Sequence, residues 1–304
     1  MTAEGDILIT GGGGQLGRAL ARAAWPEGVR IHALDRSALD VTCAESVGRI
    51  MAQRRWALVI NAAAFTDVEG AEDAPVQAFR VNALAPAVLA QAARAAGAPL
   101  IHVSTDFVFG GPGPHAETAA PDPLNVYGAS KRAGELAVLS ATPDALVVRT
   151  AWLFDSEGRN FVGKLLARAA EPQLDVVTDE VGSPTAARDL AEALVRLTLL
   201  RLEQGAFGPE RVLHVANDGW ASRYEMAQAV FEAWTARTGR PAPRLRPVSA
   251  AVFPSKARRP GDSRLSCEVF ARVAGRRPRS WRAATQEVVR EIAEAWTPQT
   301  EGGA

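Results

Sequence analysis

Cysteine, lysine and tyrosine are scarce in this 304-residue chain, and long apolar runs are lacking. The two cysteines, Cys43 and Cys267, lie far apart and in no metal or redox spacing, which fits a reducing cytoplasm. No apolar run approaches the ~18 residues that a membrane-spanning helix needs. The first ten residues, MTAEGDILIT, have acids where a signal peptide has a basic region. The sequence therefore predicts a cytoplasmic protein with no membrane partner.

An excess of charge of either sign is also lacking. Lys+Arg and Asp+Glu each total 34, so the formal net charge is zero. This balance argues against a protein built mainly to bind nucleic acid. Hydrophobic residues make up 47% and charged residues 22%, which suits a folded chain of one large or two modest domains.

Strand-like and helix-like segments alternate through the first half of the sequence. Short apolar runs predict strands at 6–10, 29–34, 56–63, 100–103 and 146–148, with helices between them at 15–24, 44–55, 75–96 and 126–140. We expect Pro86 to bend the long helix at 75–96. This alternation predicts an α/β fold of the Rossmann type, a doubly wound parallel sheet covered on both faces.

The second half has a looser pattern. It predicts helices at 161–170, 186–203, 224–238 and 286–296 and short strands at 175–178 and 212–215. Residues 238–262, rich in Pro and Arg, are expected to form an irregular connection with a binding role. Within it, Arg258 and Arg259 are candidates to hold an anionic ligand.

A glycine-rich turn links the first strand to the first helix. Gly11, Gly14 and Gly17 form a Gly-x2-Gly-x2-Gly pattern. The first two glycines allow a tight turn and a close approach of backbone to a pyrophosphate, and the last lets the helix pack against the strand. The helix N-terminus then offers free N–H groups to phosphates. The pattern predicts a dinucleotide-binding site.

The residues after the second and third strands refine this cofactor prediction. Asp35 is placed to accept hydrogen bonds from an adenosine ribose, which favours NAD, whereas Arg36 could pair with a 2′-phosphate, which favours NADP. Asp40 either caps the following segment or, with Val41, contacts the adenine. The small residues 62–64 (Ala-Ala-Ala) leave room for a cofactor at the sheet edge. We therefore expect residues 1–150 to form an NAD(P)-binding domain and residues 151–304 a mixed, mainly substrate-binding region interleaved with it.

A Tyr-x3-Lys motif joins two of the scarce residue types. The chain has two tyrosines and three lysines, so the pair Tyr127 and Lys131 arises by chance with a frequency of about 2%. Four residues apart on a helix, both side chains lie on one face. A nearby ammonium and a positively charged nicotinamide lower a phenol's pKa toward neutrality and so suit it to proton transfer. Lys131 can also hold the nicotinamide ribose.

The fourth and fifth strands end in polar and aromatic residues. Parallel strands present their carboxyl ends to a ligand cleft, so a hydroxyl of Ser104 or Thr105 is placed to hydrogen-bond a substrate carbonyl oxygen. Asp106 is either structural or a substrate ligand. Trp152, after the fifth strand, either belongs to the core or stacks on a sugar ring.

The sequence resembles the dTDP-4-dehydrorhamnose reductase family of the extended short-chain dehydrogenase/reductase superfamily. The resemblance extends over nearly the whole chain and is carried by TGGGGQLG (10–17), VINAAAFTDVEGAE (59–72), HVSTDFVFGG (102–111), PLNVYGASKRAGE (123–135), VVRTAWLF (147–154), VGSPTAARDLA (181–191) and ARRPGDSRLS (257–266). It implies reduction of the 4-keto group of the nucleotide-sugar dTDP-6-deoxy-L-lyxo-4-hexulose, with NADPH, or NADH as an alternative, as cofactor.

By position, the resemblance implies roles for individual residues. Thr105, rather than Ser104, joins Tyr127 and Lys131 as the catalytic set. Asp106 and Trp152 contact the nucleotide-sugar. The residues implied to line the cofactor are Gly14, Gln15, Leu16, Asp35, Asp40, Val41, Ala62, Ala63 and Ala64.

Three other functions are weighed against this one. A nucleotide-sugar 4,6-dehydratase needs a Glu beside the Thr-Asp pair, where this chain has Phe107. An epimerase needs only Tyr, Lys and bound NAD, and the stretches ARRPGDSRLS and VGSPTAARD, which resemble the reductase, argue against it. A non-catalytic subunit resembling the beta subunit of methionine adenosyltransferase would not need the intact catalytic set.

The sequence departs from the family pattern at the start of the first helix. Some family members carry a Glu soon after the last glycine and use it for Mg²⁺ at a homodimer contact. This chain has Arg18-Ala19-Leu20 there. The sequence therefore predicts no metal site, and it leaves the mode of dimerisation open.

Overall fold

The computed structural model describes residues 4–296, so the ends of the two predicted regions, 1–3 and 297–304, lie outside the described residues. In chain order the strands are β1 (Gly5–Thr10), β2 (Val29–Leu34), β3 (Trp56–Asn61), β4 (Leu100–Thr105), β5 (Ala145–Thr150), β6 (Leu153–Phe154), β7 (Gln173–Val177), β8 (Val181–Gly182), β9 (Thr185–Ala186), β10 (Val212–His214), β11 (Ala221–Ser222) and β12 (Arg244–Val248). The α-helices are α1 (Gln15–Arg22), α2 (Ala44–Ala52), α3 (Val68–Asp73), α4 (Pro75–Phe79), α5 (Ala85–Ala95), α6 (Val126–Ala141), α7 (Phe161–Leu166), α8 (Ala187–Gln204), α9 (Arg223–Thr238), α10 (Glu268–Ala274) and α11 (Trp281–Ala295).

Six strands form one parallel sheet in the spatial order β10-β5-β4-β3-β1-β2. The chain turns from β1 to β2 on one side and then crosses to β3 on the other, which makes the gap between β1 and β3 the topological switch point. This is the doubly wound α/β fold that the sequence predicts.

Each strand of the sheet buries alternate side chains against opposite layers. Ile7 and Leu58 pack with α1, α8 and α10, whereas Leu8 and Val59 pack with α2, α5 and α6. Strands buried on both faces appear in sequence as unbroken apolar runs. The fold therefore follows from the short apolar runs of β1, β3, β4 and β5.

The helix predicted at 75–96 is confirmed in its extent, since residues 75–95 are helical without a break, but its middle turn is π-helical. The structure has α4, then a π-helical turn at Arg80–Leu84, then α5, with Pro86 in the first turn of α5. Proline has no N–H to donate to the carbonyl one turn earlier, and a π turn rearranges the backbone hydrogen bonds there. The π-helical turn lies against α6, where a Cβ on Gly134 would come 2.0 Å from the Asn82 carbonyl oxygen.

The region after residue 150 forms a second core and also completes the first. Strands β7 and β12 pair in parallel, and α7, α9 and α11 bury Phe154, Met226 and Trp281 beside them. The expectation of an irregular connection at 238–262 is therefore wrong in part, because β12 lies within it. Its Pro247 is tolerated because the pair has two strands and each is an edge. Conversely, β10 pairs with β5 as an outer strand of the six-stranded sheet.

Candidate active site

A cleft of about 1050 Å³ opens at the carboxyl ends of the parallel strands, across the switch point. It brings together the candidate site residues of the sequence except Gly17 and Arg258, which do not line it. Those lining it are Gly11, Gly14, Gln15, Leu16, Asp35, Arg36, Asp40, Val41, Ala62, Ala63, Ala64, Thr105, Asp106, Tyr127, Lys131 and Trp152.

The glycine-rich turn is closed too tightly for side chains. Gly11 has φ +70°, a conformation that L side chains rarely adopt, and a Cβ there would lie 2.8 Å from the Ala63 backbone. A Cβ on Gly17 would lie 2.2 Å from the Gly11 carbonyl oxygen. Gly17 thus lies behind the turn and lets α1 approach it. Gly14, the N-cap of α1, offers no side-chain cap, so the first N–H groups of the helix remain available to a phosphate.

The residues after β2 form the far end of the cleft. Asp35 Oδ1 accepts hydrogen bonds from the Ser37 hydroxyl (2.6 Å) and from two backbone N–H groups. These bonds hold the pKa of Asp35 below its ordinary value, the Ser37 side chain contributing most. Asp40 accepts from the Thr42 N–H and hydroxyl and also lines the cleft, so capping and cofactor contact are compatible roles.

A buried polar chain supports the alanine segment 62–64. The Thr10 hydroxyl donates to Asn61 Oδ1 (2.6 Å), and the Ala63 N–H approaches both oxygens at 3.3 Å. Asn61 Nδ2 therefore donates to His102 Nδ1 (3.0 Å), which leaves the buried ring neutral. Burial lowers the pKa of His102 well below its ordinary value, and the Lys131 charge lowers it further. This chain fixes the wall against which a cofactor would lie.

Lys131 is almost entirely buried, with 2% of its surface exposed. Its ammonium donates a hydrogen bond to the Val103 carbonyl oxygen at 2.7 Å. Burial lowers the pKa of Lys131 to about 8, and the Glu135 charge opposes this shift. The side chain is therefore fixed at the floor of the cleft, one helical turn from Tyr127.

Tyr127 lies on the same face of α6, with its ring edge-to-face against Phe107 (5.7 Å between centroids). Burial raises the pKa of Tyr127 to about 12, and the Thr105 side chain opposes the shift in part. The lowering expected from the sequence is thus absent in the protein alone, because burial outweighs the favourable contacts. A protonated phenol is nevertheless the form that donates a proton during reduction.

Thr105 and Asp106 follow β4 directly and face the cleft. The Thr105 hydroxyl donates to Asp106 Oδ1 at 3.0 Å and accepts from the Phe107 N–H at 3.2 Å. Burial raises the pKa of Asp106 to about 6, and the nearby Ser263 side chain opposes this most. Among residues 4–296, its second oxygen has no hydrogen-bond partner. A buried, partly unsatisfied carboxyl is a suitable ligand for a substrate hydroxyl.

Trp152 has an unusual backbone and an arginine on its ring. Its φ is +44°, in the left-handed region that bulky residues seldom occupy. A Cβ on Gly182 would lie 2.3 Å from indole Cε2, so the ring fits only because residue 182 has no side chain. The Arg223 guanidinium carbon lies 3.4 Å from a Trp152 ring centroid. Arg223 also approaches Glu180 at 3.7 Å.

Besides Arg36, three arginines line this cleft: Arg159, Arg223 and Arg259. The sequence motifs do not predict the first two. Burial lowers the pKa of Arg223 to about 10, and repulsion by Arg259 adds to this. Arg223 begins α9 in no recognisable motif, so only the fold brings it here. Arg259, one of the two arginines expected to bind an anion, is held by Glu69 Oε1 at 3.0 Å.

The start of α1 does not suit a magnesium ion. Arg18 and Arg22 both pair with Glu157, at 3.4 and 2.8 Å. Across the described part of the chain, no group of three or more His, Cys, Asp and Glu side chains is arranged to hold a metal. Between residues 4 and 296, no helix combines the length and apolar character that crossing a bilayer requires.

The family model of the RmlD substrate binding domain matches residues 5–294. A dTDP-4-dehydrorhamnose reductase of Mycobacterium tuberculosis is 46% identical over 91% of this chain and 90% of its own length. One of Sinorhizobium fredii is 37% identical over 93% of this chain and 96% of its own. This chain belongs to the dTDP-4-dehydrorhamnose reductase family. The resemblance predicted from the motifs is thereby confirmed, as is an oxidoreductase activity.

Solved structures of dTDP-4-dehydrorhamnose reductases share the whole fold. The Bacillus anthracis protein, in complex with NADP, has a TM-score of 0.86 at 32% identity and covers 95% of this chain and 99% of its own. The Clostridium acetobutylicum protein also gives 0.86, at 31% identity, over 94% and 99%. A UDP-glucose 4-epimerase of Thermus thermophilus, 22% identical with a TM-score of 0.72, shares the fold alone.

Proposed function

We propose that this protein reduces the 4-keto group of dTDP-6-deoxy-L-lyxo-4-hexulose to dTDP-L-rhamnose with NADPH, and that Thr105, Tyr127 and Lys131 are its catalytic residues. The observation that carries the proposal is the convergence of these three side chains on one cleft with the glycine-rich turn. The similarity to reductases over more than nine-tenths of the chain supports the substrate class.

The walls of the cleft fit a dinucleotide. The turn at Gly11 and Gly14 leaves little room for side chains, so its backbone is open to a pyrophosphate, to which the α1 N-terminus would offer its N–H groups. Asp35 and Arg36 would hold the adenosine ribose and a 2′-phosphate, and Lys131 the nicotinamide ribose. When bound there, NADPH supplies the hydride for the carbonyl carbon.

Three side chains handle the charge that develops on the carbonyl oxygen. Tyr127 donates its phenolic proton to this oxygen, and its raised pKa keeps the phenol protonated until negative charge develops there. The Thr105 hydroxyl donates a hydrogen bond to the same oxygen. The Lys131 ammonium stabilises the phenolate left behind, which a phenol in an apolar site could not sustain alone.

The other end of the cleft suits a nucleotide diphosphate-sugar. Arg223 and Arg259 repel one another there, and an anion between them relieves that repulsion. Trp152 and Arg223 form one stacked unit, which we propose contacts the substrate as a whole. Asp106 would accept a hydrogen bond from a sugar hydroxyl through its unsatisfied oxygen.

The experiment that tests the proposal is reduction of the synthesised keto-sugar by purified protein, followed by NADPH absorbance and by the mass of the product. We expect consumption of one NADPH per product that is two hydrogens heavier. Conversion of UDP-glucose to UDP-galactose without net NADPH consumption would favour an epimerase instead. Absence of both activities, with NADPH bound, would favour the non-catalytic subunit.

Three features of the cellular form are also proposed. We place the protein in the cytoplasm because its cysteines, Cys43 and Cys267, are unpaired. We propose that it works without Mg²⁺, and as a homodimer whose contact is not metal-bridged. We propose no independent folds on the two sides of residue 150, since β10 from the second part completes the sheet of the first. The second part would add Trp152, Arg223 and Arg259 to a substrate site whose Thr105 and Asp106 come from the first.

A further inference from the structure

A buried charged layer lies between the sheet and α6, behind the catalytic cleft. Lys131 and Arg149 are each 2% exposed, and Glu135 is fully buried. Fully buried charges of this kind are costly unless they are paired. Packing alone therefore does not explain why these three charged side chains are buried together.

Glu135 is the anion of this layer, and both of its oxygens are engaged. Arg149 binds it in bidentate fashion, Nε to Oε1 and Nη2 to Oε2, each at 2.8 Å. Arg132 donates to Oε2 at 2.8 Å from the same helix. Although burial raises the pKa of Glu135, these arginines outweigh it and hold that pKa below its ordinary value. The carboxylate is thus fixed and ionised.

Lys131 carries a buried charge without an ion pair of its own. Among residues 4–296, it meets no carboxylate within 4.0 Å, and its acceptor is the neutral Val103 carbonyl. The titratable or charged groups on the sheet side and on α6 are His102 on β4, Asp106 just after it, Arg149 on β5, and Tyr127, Arg132 and Glu135 on α6. The other elements packed against α6 carry Glu69, Glu72 and Asp73 on α3, Arg80 on the π-helical turn and Arg94 on α5. Of these, Glu135 follows Lys131 by four residues, which places the two on one helix face.

We infer that Glu135 is a positioning residue that acts through Lys131: its carboxylate, locked by Arg149, keeps the Lys131 amine charged beside the reacting groups. This inference rests on the proposed role of Lys131 in the reduction. Because burial brings the pKa of Lys131 to about 8 even with Glu135 present, a fall of about one unit on loss of the carboxylate would leave about half of the amine neutral at pH 7. A neutral amine would no longer stabilise a Tyr127 phenolate.

The test is a titration of the lysine side chains by ¹³C NMR of the full-length protein labelled at lysine Cε. The chain has three lysines, so three signals are followed, and Lys131→Met assigns that of Lys131. In Glu135→Gln we expect the Lys131 pKa to fall by about one unit or more. Lys164 and Lys256 serve as internal references and keep their wild-type titrations.

A matched control and a second variant make the result decisive. Glu268 binds Arg277 in the same bidentate way on the surface (2.9 Å for both bonds), so Glu268→Gln should leave Lys131 unmoved. Glu135→Gln leaves the buried Arg149 without its carboxylate partner. The double variant Glu135→Gln/Arg149→Met removes both charges, and its Lys131 pKa should also fall. A Lys131 titration within about 0.3 unit of wild type in the folded double variant overturns the inference. The titration is independent of turnover, whereas full activity of Lys131→Met would instead refute the proposed function.

Discussion

The Arg223 guanidinium lies 3.4 Å from a ring centroid of Trp152, and the indole in turn occupies the space left by Gly182. This stack is at the end of the cleft that we propose binds the nucleotide-sugar. It joins the start of α9 to the turn that follows β5. We expect its arginine to bind the anionic part of the substrate.

Replacing Arg223 by Met should raise the KM for the nucleotide-sugar by about tenfold or more, since a charge-assisted hydrogen bond contributes roughly 1.5–3 kcal/mol. The Kd of NADPH should stay within about twofold. Steady-state kinetics and direct cofactor titration measure both. Arg237→Met, at an exposed pair with Glu294, is the control. A wild-type KM in a folded Arg223→Met protein would remove Arg223 from the substrate site.

The segment that carries Arg259 is held by Glu69 of α3. The Glu69 carboxylate accepts from the Ser255 hydroxyl (2.7 Å), the Lys256 N–H (2.8 Å) and Arg259 (3.0 Å). Glu69→Gln should therefore raise the KM for the nucleotide-sugar by about five- to tenfold with little change in NADPH affinity. Asp73→Asn breaks only an exposed ion pair to Lys256 and should have little effect. Equal effects of the two variants would contradict a specific anchor at Glu69.

Arg36 should distinguish the two nicotinamide cofactors. We expect both NADPH and NADH to support turnover, because Asp35 suits a free ribose and Arg36 a 2′-phosphate. Arg36→Ala should lower kcat/KM for NADPH by about tenfold more than for NADH, since only NADPH loses a charged contact. Arg55→Ala, an exposed arginine elsewhere, is the control. Equal losses with both cofactors would show that Arg36 does not bind the 2′-phosphate.

Asp106 should make stability depend on pH. Burial raises its pKa to about 6, above the unfolded value of about 3.9. The protonated carboxyl therefore favours the folded state at low pH, and this contribution disappears as pH rises through 6. Asp106→Asn should thus gain about 1 kcal/mol more stability relative to wild type at pH 8 than at pH 5. Urea unfolding at both pH values measures this. The exposed Asp122→Asn should show no such difference, and a pH-independent effect of Asp106→Asn would refute the buried-carboxyl account.

The sequence predicts which residues line the proposed cofactor half of the cleft, because their determinants are local. The glycines of the β1–α1 turn act within seven residues, and the Tyr127–Lys131 pair is defined by one helical turn. Apolar runs long enough for one strand each likewise fix β1, β3, β4 and β5. In each case the physical requirement is met by neighbours in the chain, so a pattern records it.

The proposed substrate half depends on contacts between distant segments. Arg223 meets Trp152 across 71 positions of sequence, and Glu69 meets Arg259 across 190. Neither contact leaves a periodic or spaced pattern. The sequence also does not predict the strand β12, because an Arg- and Pro-rich edge strand lacks the apolar alternation of a buried one.

We propose that the phenol of Tyr127 donates the proton in the reduction of the keto-sugar. Tyr127→Phe removes only the hydroxyl, so it should leave folding and NADPH binding intact while lowering kcat by about 10²–10⁴. Tyr224, the other tyrosine of the chain, provides the matched control, and Tyr224→Phe should retain wild-type turnover. The decisive measurement is kcat for NADPH-dependent reduction of the keto-sugar by the two variants side by side. A loss confined to Tyr127→Phe is predicted, and turnover of Tyr127→Phe at the wild-type rate would contradict the account.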